Sequence, residues 1–310
     1  MNEFSYSPSK WVPYKNIEII EKVRKIKRDD LTKHKNPDFK ISIVKDEMAE
    51  FIWVSDMFYR IKNAADENEK LVLILPNPAH TYKKVAYLIN KFKVDCKKLY
   101  TFNMDEYADE EGNVAPESYP QSFKRAIKNY FYSQIDEKLR PPEEQIIGPT
   151  TKNVKYYGKM IEDLGNADIC YSGPGWTGHL AFIEPDAPEF EGSLEEWKEM
   201  GPRIVTLSPF TIAQNSLHGS FGFSGDLAFV PPKAATIGPR EVINSKNRFD
   251  MHNLTTAGTS VSWQRFITRL CLHGEVTPFV PQSILQTLKT EVYVSETIAQ
   301  DIEPNWDFGY

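Results

Sequence analysis

The spacing of apolar residues changes period several times along the chain, and each change predicts an element. Over residues 50–65, Phe51, Val54, Phe58 and Ile61 recur at three- and four-residue spacing, which predicts an amphipathic helix. Residues 70–75 form a continuous aliphatic run, suited to a strand buried on both faces. After a short Pro-Asn-Pro loop, Tyr82, Val85, Ala86, Ile89 and Phe92 return to helical spacing, and 99–103 reads as the next strand. A helix is predicted over 118–134, with Phe123, Ile127, Tyr130 and Phe131 on one face. Another is predicted over 154–164, followed by a strand at 168–171. Short strands at 203–207 and 234–237, an amphipathic segment at 260–273 and a last strand at 291–295 complete the pattern.

Strands alternating with helices imply right-handed crossovers, and so an α/β fold with a mainly parallel sheet covered on both faces. The chain has no internal repeat or low-complexity segment. The Pro- and Gly-rich stretches at 140–150 and 185–192 read as loops within one domain. Residues 1–45 are polar and basic, with one predicted helix at 16–31. They are expected to form an N-terminal extension packed on a single α/β domain spanning 46–310. In open α/β sheets ligands sit at the carboxyl ends of strands. Three such ends, Leu75-Pro76, Asn103-Met104-Asp105 and Ser172-Gly173, are expected to converge on one crevice.

Composition narrows the classes of function. The 310 residues are 41% hydrophobic and 26% charged, which suffices for a sizeable core. The formal net charge is -6, without a long basic run, which disfavours nucleic-acid binding. No apolar run approaches about 20 residues, so no membrane span is predicted. The Met-Asn-Glu-Phe start shows no signal-peptide pattern. Three widely spaced cysteines, Cys96, Cys170 and Cys271, argue against a disulfide framework. Together these features predict a cytoplasmic protein whose partner is a small molecule. Whether it forms a homo-oligomer stays open.

Two segments carry the candidate chemistry. In the first, Phe102-Asn-Met-Asp-Glu-Tyr107, Asp105 and Glu106 directly follow a predicted strand. A partly dehydrated carboxylate there suits a general base that removes a C–H proton next to a carbonyl. The same dipeptide also suits a loop acid capping the following helix. In the second, Ser172-Gly-Pro-Gly-Trp-Thr-Gly-His179, the glycines let backbone approach a ligand closely, and His179 can shuttle protons near neutral pH. Glu184 lies five residues further on, so pairing with His179 requires a turn.

These segments, with Pro116-Glu-Ser-Tyr119 and Gly178-His-Leu-Ala-Phe-Ile-Glu-Pro185, resemble the glucosamine-6-phosphate deaminase/isomerase family in wording, order and separation. The likeness runs with gaps from about Leu71 to about Glu291, and 6-phosphogluconolactonase is a more distant relative. It implies a three-layer α/β/α Rossmann-like sandwich. It also implies conversion of glucosamine 6-phosphate to fructose 6-phosphate and ammonia, with no cofactor and no metal. By position, Asp105 matches the enolising base and Glu106 its neighbour. His179 matches the histidine that assists ring opening, and Glu184 the acid that orients it. Arg203 and Thr206 match two effector-site residues of allosteric members. The residues expected to touch the sugar or sugar phosphate are Asn77, His80 and Thr81 after the first strand, with Gly175, Trp176, Thr177 and Gly178 in the second loop.

The chain departs from the family pattern around one pocket. Where the family reads Gly-Asn-Asp-Gly-His, Trp176 and Thr177 replace the amide and the carboxylate, and a hydroxyl cannot stabilise an imidazolium as an anion can. The family's Gly-Gly-Thr-Pro phosphate loop is replaced by Pro76-Asn-Pro-Ala-His-Thr81, and two prolines remove two N–H donors. A family arginine falls on Leu217 and a family lysine on Val261. His80, Lys83, His218 and Arg265 are the cations available to compensate. Three readings follow: a sugar isomerase/deaminase with an altered substrate, a non-catalytic sugar-binding or regulatory protein on the same fold, and a 6-phosphogluconolactonase-like hydrolase. The second motif favours the first reading over the third, because lactonases usually continue Gly-His-Thr-Ala-Ser-Leu-Phe-Pro at that point.

Overall fold

In the computed structural model, which describes residues 6–76, 80–185, 187–254 and 261–307, the elements follow in this order. They are α1 (Ile17–Arg24), β1 (Phe39–Val44), α2 (Asp46–Asp66), β2 (Leu71–Leu75), α3 (Tyr82–Phe92), β3 (Leu99–Asn103), β4 (Asp105–Ala108), α4 (Phe123–Tyr130), β5 (Ile146–Ile147) and α5 (Tyr157–Asp163). There follow β6 (Ile169–Ser172), α6 (Leu194–Lys198), β7 (Arg203–Thr206), α7 (Pro209–Ser216), β8 (Lys233–Thr236), α8 (Pro239–Ile243), β9 (Asn247–His252), α9 (Gln264–His273), β10 (Thr290–Ser295) and α10 (Glu296–Ala299). Seven strands form a parallel sheet in the order β1-β10-β9-β6-β2-β3-β5, and β4-β8-β7 form a small antiparallel sheet.

The two-residue period of β2 explains the layering. Every residue from Leu71 to Leu75 is buried. Leu71, Leu73 and Leu75 enter one core with Val54, Met57 and Ile61 of α2 and Val85 and Ile89 of α3. Val72 and Ile74 point the other way, into a second core with Tyr157 and Ile161 of α5 and Leu272 of α9. Two cores on opposite faces of one parallel sheet make the three-layer α/β/α sandwich. No helix among the described residues is long and apolar enough to cross a membrane.

Several elements differ from their sequence expectation. The buried stripe of α2 is Ala49, Val54, Met57 and Ile61, while Phe51 falls outside the sheet-facing arc and is exposed. The helix predicted over 16–31 ends at Arg24, because the Ile26 carbonyl accepts from Arg269 Nε at 2.8 Å instead of continuing a helical ladder. The helix predicted over 118–134 begins only after Pro120, where the Ser122 hydroxyl accepts from Arg125 N at 3.2 Å. The strands predicted at 203–207 and 234–237 exist, but as β7 and β8 they pair antiparallel outside the main sheet. Asp105 and Glu106 were expected in a loop and instead open β4. β9 escaped prediction because Arg248, Asp250 and His252, all buried, break its apolar run.

The N-terminal segment joins the body in two places: β1 pairs with β10 as an edge strand of the main sheet, and α1 packs on α9. Tyr14, Ile20 and Val23 share an apolar cluster with Ile267, Leu270 and Cys271 of α9.

Candidate active site

The chain passes from β2 to β3 on one side of β2, while β6 lies on its other side. The order of strands reverses there, and that is where a crevice opens at the carboxyl edge of a doubly wound sheet. The segments leaving β3 and β6 carry the two sequence motifs. At about 4.8 Å between neighbouring strands, their starting points lie about 10 Å apart.

The two adjacent carboxylates have different surroundings. Glu106 accepts four hydrogen bonds: from Tyr107 N at 3.0 Å, Ser122 Oγ at 2.8 Å, Phe123 N at 3.0 Å and Lys124 N at 2.9 Å. Its carboxylate thus closes the amino end of α4, where orphan N–H groups and the helix dipole favour an anion. Burial raises its pKa against the pull of these donors. Asp105 is buried too, at 4% exposure, yet among the described residues no donor reaches its carboxylate. Burial, and then the Glu106 charge, push the Asp105 carboxyl well above the usual range.

His179 is held by a turn. Leu180 and Ile183 bridge across it, with Ala181 at φ +55°, and the turn brings Glu184 back to the imidazole. Glu184 Oε2 lies 3.4 Å from His179 Nδ1, and Oε1 accepts from Ser208 N at 3.2 Å. The Thr177 hydroxyl sits between the two groups, 3.2 Å from Nδ1 and 3.4 Å from Glu184 Oε2, and Thr211 Oγ1 lies 2.9 Å from the same nitrogen. A carboxylate only accepts, so Thr177 donates to Glu184, and its remaining lone pair is open to an Nδ1–H. Thr177 therefore relays between the imidazole and Glu184 at the position where the resembled family carries a charge.

Gly175 is required by the same ring. A Cβ there would fall 1.8 Å from His179 Nε2. Gly175→Ala is expected to displace the imidazole and to cost about 1–3 kcal/mol of stability. Denaturant unfolding and the shift of the His179 ring resonances would show both effects; an unmoved ring would refute the packing described here. Gly178, at φ +81°, provides the left-handed backbone that sends the chain into His179.

The loop after β2 is built differently from an anion cradle. The Thr81 hydroxyl donates to Glu50 Oε1 at 2.9 Å, and Lys84 pairs with the other oxygen. A fixed carboxylate thus already stands beside the first turn of α3. His80 is exposed in the turn before this helix, and Asn77 lies outside the described residues. Leu217 and Val261 are both exposed, at 47% and 65%. Trp176 is partly exposed, its backbone N–H held by Gln214 Oε1 at 2.7 Å.

Sequence reasoning missed the contribution of α7. Its buried face brings Thr211 to His179, Gln214 to the loop backbone, and Asn215, whose Nδ2 donates to Tyr107 Oη at 3.0 Å. Three polar residues on the buried face of one short helix were the available signal. His218 follows this helix. Its pKa is lowered by burial and then by the nearby His179.

A second buried network was also missed. Asp250 accepts from Ser172 Oγ at 2.9 Å and Gln282 Nε2 at 2.6 Å, and lies 2.8 Å from His252 Nε2. Gln282 N donates to Gly178 O at 2.9 Å, and Gln264 Nε2 to Pro174 O at 3.1 Å, so the loop carrying His179 is pinned from below at three points. Arg203 and Thr206 are engaged with the 189–201 segment: Arg203 donates to Gly201 O and Glu189 O, and Thr206 to Glu189 Oε1. Cys96, Cys170 and Cys271 are free and buried. Burial pushes the Cys170 thiol up to about 12, which removes it as a nucleophile. Among the described residues no group of three or more His, Cys, Asp or Glu is placed to hold a metal ion.

No family model matches the chain. It is similar to the glucosamine-6-phosphate deaminase of Caenorhabditis elegans, at 31% identity over 208 residues covering 65% of this chain and 70% of that protein. The enzyme of the same name from Mannheimia succiniciproducens is 32% identical over 58% of this chain and 62% of its own length. The one from Phocaeicola vulgatus is 28% identical over 67% and 74%. Among solved structures, a monomeric glucosamine-6-phosphate deaminase superposes with a TM-score of 0.64 at 20% identity, covering 84% of this chain and 98% of that one. A 6-phosphogluconolactonase from Shewanella baltica follows at 0.56 and 16% identity, covering 84% and 97%.

Proposed function

The chain belongs to the glucosamine-6-phosphate deaminase family, and from that premise we propose that it isomerises an amino sugar by carboxylate-mediated proton transfer, releasing ammonia. The observation that carries this reading is the contrast within one dipeptide. Glu106 is saturated with donors, while Asp105 is buried, without a donor among the described residues, and basic for a carboxylate. A base whose pKa is raised toward the working pH combines correct ionisation with useful proton affinity.

In the proposed sequence, His179 moves a proton between the anomeric hydroxyl and the ring oxygen, opening the pyranose to the aldehyde. Its Nδ1 side is held by Thr211, Thr177 and Glu184, which orients Nε2 for that transfer. Asp105 then takes the C2 proton, and O1 gains the proton that the substrate ammonium gives up, giving the enolamine. Asp105 returns its proton to C1, leaving an iminium at C2. Water adds to the iminium carbon, the C–N bond breaks, and ammonia leaves as the ketose forms. One water is consumed per ammonia, and no electrons are exchanged.

The substrate's far end is held differently from a phosphate on a helix amino terminus. Glu50 stands beside the first turn of α3, and Leu217 and Val261 offer apolar surface where the family pattern carries cations. The test is a panel of glucosamine, its 6-phosphate and neutral 6-substituted glucosamines, followed by ammonia release. At least one is expected to yield ammonia and ketose in equal amounts. Ligand-induced thermal shifts with no ammonia from any member would favour the non-catalytic sugar-binding reading instead.

A further inference from the structure

A cavity of about 1,020 Å³ adjoins the loop that carries His179. Among the described residues its walls come from five places, two of them single residues, Phe210 of α7 and Ile302 near the carboxyl end. Pro13, Ile17 and Ile20 belong to the N-terminal segment, Trp263 and Phe266 to the start of α9, and Trp176 and Thr177 to the His179 loop. Trp176 and Trp263 lie ring over ring, 6.2 Å between centroids and 18° from parallel. Thr177 is the residue that relays between His179 and Glu184. The cavity and the His179–Glu184 pair therefore share Thr177, which lines the one and bonds to the other.

Its chemistry is predominantly apolar and aromatic. Three charged residues line it: Glu21 and Arg24, which are exposed and of opposite sign, and Arg265. Arg265 directs its guanidinium to Thr297 O and Gln300 Oε1, both at 3.1 Å. The guanidinium is thus turned to neighbouring oxygens of the fold, the remaining wall is mainly apolar, and the volume is at the upper end of small-molecule sites, roughly 300–1,000 Å³. A bare hexose would leave most of it unfilled.

We propose that this cavity is a second subsite for the same substrate, and that it takes an uncharged apolar substituent, acyl or aryl, carried by the sugar. The proposal rests on the isomerase reading for one feature only. Proton transfer between C2 and C1 needs a free anomeric carbon, so the substituent is carried elsewhere on the ring. The exposed Leu217 and Val261 fit the same class of ligand, since each presents apolar surface where the family pattern has a cation.

The test compares the binding of glucosamine with that of 6-O-octanoylglucosamine by calorimetry. The octanoyl compound is expected to bind at least tenfold more tightly to the unmodified chain. Trp263→Ala is expected to reduce that preference to less than threefold while glucosamine affinity stays the same. Ile17→Arg places a charge at an already exposed wall position and carries little folding risk; it is expected to do likewise. Equal affinity of the two compounds for the unmodified chain would overturn the proposal, as would a preference that survives both substitutions. Binding is read independently of turnover: Asp105→Asn is expected to keep the octanoyl preference while losing ammonia release. An inactive unmodified chain that keeps the preference would sink the catalytic reading and leave the subsite standing.

Discussion

Asp105→Asn is expected to lower turnover by about 10²–10⁴-fold, the usual contribution of a positioned general base, and at the same time to make the fold more stable. The stability gain follows from the environment. The Asp105 carboxyl is buried beside Glu106 with no donor among the described residues, so its charged form is disfavoured. A carboxyl whose pKa is raised on folding binds protons more tightly in the native state than in the unfolded chain. Stability then falls as pH rises from the unfolded value, near 4, toward the raised native one. Asparagine removes that loss. The variant is expected to be more stable than the natural chain by about 1–3 kcal/mol near neutral pH, with the advantage shrinking as pH approaches 4. Urea unfolding at several pH values and ammonia release measure the two halves. Full turnover in the variant would refute Asp105 as the base, and an unchanged or reduced stability at neutral pH would refute the buried, donor-free setting.

The neighbouring residue is expected to behave in the opposite way. Glu106→Ala strips the acceptor from the Ser122 hydroxyl and from the N–H groups of Phe123, Lys124 and Tyr107 at once. Leaving buried donors unsatisfied costs about 1–3 kcal/mol each and is not additive, so a loss of about 3 kcal/mol is expected, together with fraying of α4. The fraction that remains folded is expected to keep most of its turnover if Asp105 is the base, since burial, the larger cause of its raised pKa, remains after the Glu106 charge is lost. A variant that is stable but inactive would show instead that Glu106 takes part in the chemistry. The pair of substitutions separates two acids that are adjacent in sequence and lie in one strand.

That separation also marks the limit of what was legible in the residues. The motif around Asp105 and Glu106 showed that acids stand at a strand end, and both the catalytic and the capping interpretation were open for them. The donors that decide for Glu106 lie 16 to 18 residues downstream at Ser122, Phe123 and Lys124. The loop containing His179 was recognisable from its glycines, and the return of Glu184 required only a local turn. Thr211, which shares Nδ1 with Thr177, comes from 32 residues away on α7. The polar strand β9 was hidden because buried Asp250 and His252 satisfy each other, and such pairing leaves no mark on apolar periodicity.

By itself, the order of apolar residues determined the α/β class and the central strands β2, β3 and β6, because strand and helix impose different periods on buried side chains. The motifs determined the family and named Asp105, His179 and Glu184. Only the tertiary structure decided which carboxylate is left without donors, that Thr177 links His179 to Glu184, and that α1 and α9 help wall a cavity beside the His179 loop. Burial, hydrogen-bond satisfaction and cavity shape depend on residues brought together from distant parts of the chain. Desolvation acts on the assembled neighbourhood of a side chain, and a local pattern of residues does not specify that neighbourhood.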